Sequence, residues 1–123
     1  MNIKKVAIFT PYSKSLNDEV VEYFKKESFD VTSNLYFDIL IDGDIAKIDP
    51  VYLYEVISNM NLEGAEALFL SCTNLPALSI INKLEKKLNK IVLCSNQVLI
   101  WDTLRSIGKN RPIQGFGKLF LGD

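Results

Sequence analysis

Four consecutive polar residues, Ser71-Cys72-Thr73-Asn74, interrupt the chain immediately after the apolar run Ala67-Leu68-Phe69-Leu70. A helical pattern begins just beyond, near Leu75-Pro76. This arrangement predicts a strand feeding a helix through a tight turn that carries a thiol. Pro76 suits the first turn of a helix, where a missing N–H costs nothing. Thr73 or Asn74 can cap that helix by accepting a bond from its orphan N–H groups. A cysteine at such a junction meets the positive end of the helix dipole, which lowers a thiol pKa and enriches the thiolate. The chemistry on offer is therefore proton transfer by Cys72, a thiol of lowered pKa being a workable acid or base near neutrality. The plain alternative is a small, buried, inert thiol, since free cysteine is often buried. The flanking Ser, Thr and Asn favour function.

The chain has no histidine. That removes Cys–His and Ser–His nucleophile pairs and the usual zinc constellations, so no metal site is expected. Proton chemistry must come from Cys, Tyr, Lys, carboxylates or bound water. Tyr12 follows a proline on an early loop, where its O–H can donate to a substrate carboxylate or simply pack on the next helix. Thr73, Asn74, Ser95 and Asn96 are donors suited to an anion at helix starts, and equally suited to capping. Cys94 lies in a strand expected to be buried on both faces, so it reads as core filler. Gly115-Phe116-Gly117 is too short for a phosphate loop and follows no strand, which argues against a nucleotide site.

The elements that must position these residues follow from hydrophobic spacing. Lys4–Thr10 reads as a buried strand closed by Pro11-Tyr12-Ser13. A helix follows to about Ser28, with Ser15 or Asn17 as cap, and Leu16, Val20, Val21 and Phe24 on one stripe. Asp18 and Glu19 are placed in its first turn and Lys25 and Lys26 in its last, matching the dipole. Phe29–Phe37 is a second strand. Asp38–Pro50 is an ordered connection that can hold a short turn of helix. Asp49-Pro50 starts a helix to about Asn61, stopped by Leu62-Glu63-Gly64. The strand Ala65–Ser71 and a helix to about Leu88 come next, with Leu78, Ile81, Leu84 and Leu88 facing inward. Lys90–Ser95 is a fourth strand. A last helix spans about Val98–Ile107, marked by Leu99, Trp101, Leu104 and Ile107. Residues 109–123 read as an arm lying on an apolar surface.

Alternating strands and helices predict a three-layer α/β/α fold: one α/β domain over residues 1–123, with a four-stranded parallel sheet in the flavodoxin-like order 2-1-3-4. In such sheets the ligand crevice lies at the carboxyl ends of the strands, where strand order reverses. Pro11-Tyr12-Ser13 and Ser71-Cys72-Thr73-Asn74 should face each other there, with Ser95-Asn96 next along.

Composition narrows the partners. With 123 residues, 48% hydrophobic and 24% charged, the chain is an ordinary globular one with a formal net charge of −1. It carries no basic cluster, so neither nucleic acid nor anionic lipid is expected. The apolar runs fall short of the ~20 residues of a membrane span. Met1-Asn2-Ile3-Lys4-Lys5 leads into the first strand without signal-peptide anatomy, and two cysteines fit a reducing compartment, so the expected location is cytoplasmic.

Several of these segments together carry a resemblance. Thr10-Pro11-Tyr12, Asn17, Leu70-Ser71-Cys72-Thr73-Asn74-Leu75, Ser95-Asn96-Gln97, Trp101-Asp102 and Gly115-Phe116-Gly117-Lys118-Leu119-Phe120 resemble the aspartate/glutamate racemase superfamily. The branch they resemble is that of maleate cis–trans isomerase and arylmalonate decarboxylase, over its C-terminal half. The resemblance implies a cofactor-independent isomerisation, racemisation or decarboxylation of a small carboxylic acid. It implies Cys72 as the thiol that moves a proton at the carbon next to a carboxylate. Tyr12 would hold the carboxylate, and Thr73, Asn74, Ser95 and Asn96 would line the pocket. It also implies a second α/β half, either a separate chain or another copy of this one. The readings from other classes are a non-catalytic remnant or carboxylate-binding module, and a plain flavodoxin-like binding domain with an incidental thiol.

Overall fold

The alternation of buried positions along the first strand sets the layers. Ala7 and Phe9 belong to one hydrophobic cluster, whereas Val6 and Ile8 belong to another, as the period of two demands of a strand covered on both faces. A computed structural model describes residues 3–39, 42–71, 75–109, 111–115 and 117–121. Its strands are β1 (Lys5–Thr10), β2 (Asp30–Tyr36), β3 (Ala67–Leu70) and β4 (Ile91–Cys94). They form a parallel sheet in the order β2-β1-β3-β4, as the sequence predicts.

The α-helices are α1 (Lys14–Lys26), α2 (Asp42–Ala46), α3 (Pro50–Ser58), α4 (Ile81–Leu88) and α5 (Ser95–Ser106). Helices α3 and α4 cover one face of the sheet. Leu53 and Ile57 of the former and Ile81 and Leu84 of the latter pack on Ala7, Phe9, Leu68, Leu70 and Val92. The other face carries α1 through Val21 and Phe24, and α5 through Val98 and Trp101. Asp38–Pro50 is ordered where described and does contain the short helix α2, whose Ile45 is buried. Asp49 caps α3 by accepting from the Val51 N–H at 3.0 Å, with Pro50 as the first helical residue.

Several boundaries differ from the sequence reading, each for an identifiable reason. Ser13, not Ser15 or Asn17, caps α1, its hydroxyl accepting from the Leu16 N–H. The first turn of α1 therefore begins at Lys14 and holds neither Asp18 nor Glu19. Helix α3 ends at Ser58 instead of Asn61, with Asn59 as its C-cap.

Pro76 is not a helical residue. A single 3-10 turn, Leu78–Ile80, precedes α4, and its cap position, Ala77, makes no side-chain capping bond. Leu75 and Ala77 are both buried, and side chains two apart cannot share one face of a helix. The last helix begins at Ser95 and not Val98, so Ser95 is its first residue instead of the end of β4. Leu99 and Ile107 do not face inward: they are 59% and 65% exposed, while Trp101 and Leu104 are half-buried.

The arm, which the sequence places outside regular structure, holds one regular turn among its described residues. It contains a 3-10 turn, Lys118–Leu121, that buries Leu119 and Phe120. Glu85 of α4 holds it: one carboxylate oxygen accepts from the Lys118 N–H at 2.7 Å and the other from the Val92 N–H at 2.9 Å. Gly117 allows the close approach. Its φ is +90°, and a Cβ there would fall 2.7 Å from Ile81 Cγ2 and 2.9 Å from Gln97 Nε2.

Candidate active site

Strand order reverses between β1 and β3, so the crevice expected at the sheet's carboxyl rim lies where Thr10 and Leu70 end their strands. The backbone of the first rim loop is held by a traceable set of bonds. After β1 the chain turns through Pro11 and Tyr12, and the segment following β2 clamps it. The Phe37, Asp38 and Ile39 N–H groups donate to the carbonyls of Thr10, Tyr12 and Pro11 at 3.1, 2.9 and 2.9 Å. Asp38 adopts φ +61°, a left-handed conformation that Asp tolerates better than most side chains. Tyr12 is half-buried against the main core cluster, its ring anchored at the rim.

Beneath this loop lies a polar chain that runs from the buried Thr10 and Asn17 to the exposed Asn34. Asn17, 0% exposed, accepts from the Thr10 hydroxyl at 2.7 Å through Oδ1 and donates from Nδ2 to Asn34 Oδ1 at 2.9 Å. Its own N–H donates to the Ser13 carbonyl at 2.8 Å. Buried amides are costly unless satisfied, and this one is bonded on both sides. It ties the end of β1 to α1 and to the edge strand β2, which fixes the backbone that presents Tyr12. Sequence reasoning offered Asn17 as a cap. Its position on the inward stripe with Val21, four residues on, was the signal for burial.

The third part of the rim is the start of α5. Ser95 and Asn96 are its first two residues, half-buried, at the carboxyl end of β4. Cys94 caps the helix: its sulfur lies 3.5 Å from the Gln97 N–H, and the Gln97 side-chain oxygen accepts from the Cys94 N–H at 3.2 Å. This is a capping box with sulfur in the place of a hydroxyl. Burial pushes the Cys94 thiol above its ordinary pKa, more than the Gln97 and Asn96 N–H groups pull it down. It is a protonated structural residue, as expected of core filler.

The structure thus brings the Tyr12 loop, the end of β3 and the Ser95-Asn96 helix start to one rim. Ser71, the last described residue after β3, is buried and donates its N–H to the Phe9 carbonyl at 2.9 Å. Cys72, Thr73 and Asn74 lie outside the described residues. The helix that was to bring its dipole to Cys72 begins with a 3-10 turn only at Leu78, which removes that premise for a lowered thiol pKa at the expected place. Among the described residues, no helix is long and apolar enough to cross a membrane.

A parallel sheet in this order defines a doubly wound α/β protein. The chain belongs to the arylmalonate decarboxylase family, whose model matches residues 1–120. It is 28% identical over 123 residues to the maleate isomerase of Geobacillus stearothermophilus, covering 99% of this chain and 49% of that protein. It is also 28% identical over 126 residues to the arylmalonate decarboxylase of Bordetella bronchiseptica, covering 98% and 51%. Among solved structures, the maleate isomerase Iso of Pseudomonas putida S16 superposes with a TM-score of 0.93 at 28% identity, over 98% of this chain and 49% of that one. A substituted form of that isomerase has been solved with maleate. The chain spans about half the length of the relatives it matches.

Proposed function

We propose that this chain is the C-terminal half of a cofactor-independent, maleate isomerase-like enzyme acting on a small carboxylic acid. The observation that carries the reading is the convergence of the Tyr12 loop and the Ser95-Asn96 helix start on the two sides of β3, at the reversal of strand order, in a chain of this family. Cys72 is the residue that moves a proton to or from the carbon beside the carboxylate. Tyr12 donates to that carboxylate, and Thr73, Asn74, Ser95 and Asn96 supply the remaining donors. Charge building on a carboxylate-stabilised carbanion or enolate needs several donors fixed in advance, and the Thr10–Asn17–Asn34 chain, buried at Thr10 and Asn17, would hold one side of that set rigid.

One half leaves such a crevice open to water, where carbanion chemistry is poor. The active form therefore pairs residues 1–123, acting as one α/β domain, with a second α/β half. That half is a separate chain or a second copy, which by two-fold symmetry would set two Cys72 thiols across one pocket. The cytoplasm, where thiols stay reduced, is the compartment this chemistry suits.

The test supplies maleate and related small dicarboxylates to the chain alone, at concentrations that span its association by light scattering, and to the chain mixed with a second half from a full-length relative. Product is followed by proton NMR. Turnover in a paired form and little in the monomer is expected. Dicarboxylate binding without turnover in every pairing would replace the enzyme by a carboxylate-binding module.

A further inference from the structure

The exposed apolar side chains of α3 form a patch with its neighbours. Val51 and Tyr52, in the first turn of the helix, are 65% and 56% exposed. The Tyr52 ring lies 6.1 Å from that of Phe37, which meets the buried Phe9 edge-on at 4.8 Å. Ile39 and Ile48 are half-buried against the same core. Helix α3 follows β2 and runs back along the sheet, so its first turn stands at the carboxyl rim. The patch adjoins the Tyr12 loop, since the N–H groups of residues 37–39 hold the carbonyls of that loop. Single exposed apolar residues are ordinary, but a contiguous aromatic and aliphatic patch with a charged border has the anatomy of a contact surface.

The border has one sign. Asp38, Asp44 and Asp49 are exposed around the patch, and Asp38 and Asp44 form no ion pair among the described residues. Residues 37–52 hold four aspartates and one lysine. A second copy of the chain brings this corner no complement. Facing itself, the corner meets the same acids. Turned about, it meets residues 70–80 and 94–100, which carry no charge. Lys14, the one cation of residues 10–17, is bound to Asp18 at 3.0 Å.

We propose that this corner of the rim docks the second α/β half, and that this half is a separate chain presenting a cationic, partly apolar segment, not a second copy. The inference rests on the reading of this chain as half of a paired enzyme and chooses between the two partners that reading allows. The relatives are about twice as long as this chain, so one further unit of its size completes them. Seated here, the partner's segment covers Val51, Tyr52 and Phe37 and meets Asp38, Asp44 and Asp49. It shuts the crevice beside Tyr12 from the β2 side.

Sedimentation velocity and light scattering follow the intact chain without substrate, alone and mixed with the half of the Geobacillus stearothermophilus maleate isomerase that it does not match. Raising NaCl from about 20 to about 500 mM takes exposed charges from weak to strong screening. The chain alone should stay monomeric at low salt, and the mixed pair should form and weaken at least about tenfold as salt rises. D38N/D44N/D49N removes three charges, while asparagine keeps both the left-handed backbone at 38 and the cap of α3. It should weaken pairing at low salt and remove most of the salt dependence. V51S/Y52S, at exposed positions, should weaken pairing at least about tenfold at both salt levels. Absence of pairing, pairing indifferent to salt, or unchanged affinity in either variant each overturns the proposal. Self-association of the chain at low salt that V51S/Y52S removes assigns the patch to a second copy and overturns it too. Turnover is read separately: pairing as expected with no conversion of maleate defeats the enzymatic reading alone, and conversion by a pair that ignores both variants defeats only this docking surface.

Discussion

Glu85→Ala is the substitution whose cost can be worked most fully from the structure. The carboxylate is buried and serves two backbone donors on separate segments, Val92 in β4 and Lys118 in the arm. Truncation orphans both. A buried donor left without its acceptor costs about 1–3 kcal/mol. Val92 is fully buried and should bear the full penalty, whereas Lys118 is exposed and water can partly replace the lost acceptor. The sum is ~2–4 kcal/mol, a large share of a typical domain stability of about 5–15 kcal/mol. Glu85→Gln keeps one acceptor oxygen and turns an NH2 toward the other donor, so its cost should fall below that of the alanine. The assay is urea unfolding followed by Trp101 emission and by far-UV circular dichroism, with coincidence of the two curves as the two-state check. Loosening of the arm should also speed tryptic cleavage at Lys109 and Lys118 under native conditions. A loss under 1 kcal/mol for Glu85→Ala, or a glutamine variant less stable than the alanine, would refute the role given to this carboxylate.

The remaining predictions are simpler. Gly117→Ala forces a Cβ into Ile81 and Gln97 at a positive φ, and should cost ~2–4 kcal/mol in the same unfolding assay; a neutral effect would mean that the arm is not seated as described. The Glu66 carboxylate accepts from the Lys5 and Lys4 N–H groups at 2.9 and 3.0 Å, which hold its pKa below the ordinary carboxylate value. A depressed folded-state pKa gives stability that is present above the unfolded value of about 4.5 and lost as pH falls through the folded one. Glu66→Gln should therefore flatten the acid limb of the melting temperature below that pH, and an unaltered limb would contradict it. Iodoacetamide with peptide mapping should label Cys72 well before Cys94, whose buried, protonated thiol is a poor nucleophile; equal, slow labelling would remove the functional reading of Cys72.

The sheet order and the core were legible because they rest on periodicity. Val6 and Ile8 against Ala7 and Phe9 announce two covered faces, and Ile81, Leu84 and Leu88 announce the buried stripe of α4. What escaped were polar residues doing jobs assigned by type to others. Cys94 was read as filler, which its burial supports, yet it also caps α5, a task that a list of oxygen-bearing caps omits. Asn17 was read as a cap because its type suits one, but packing claimed its amide for Thr10 and Asn34. Glu85 lies one turn after Ile81 and beside Leu84, so its spacing placed a charge on a core stripe, and its bonds to β4 and to the arm explain it.

The placing of the Tyr12 loop and of Ser95 and Asn96 on either side of β3, at one end of the sheet, was legible from topology. The helix start behind Pro76 was not, since burial of both Leu75 and Ala77 overrode a good local signal.

The most direct test of the central claim is the rate of maleate conversion by the Cys72→Ala chain beside that of the unsubstituted chain. Both are paired with the same second half and checked for equal folding by circular dichroism. A positioned acid or base contributes about 10²–10⁴-fold, so the account predicts a fall of at least about a hundredfold. Conversion by Cys72→Ala at the unsubstituted rate would contradict it.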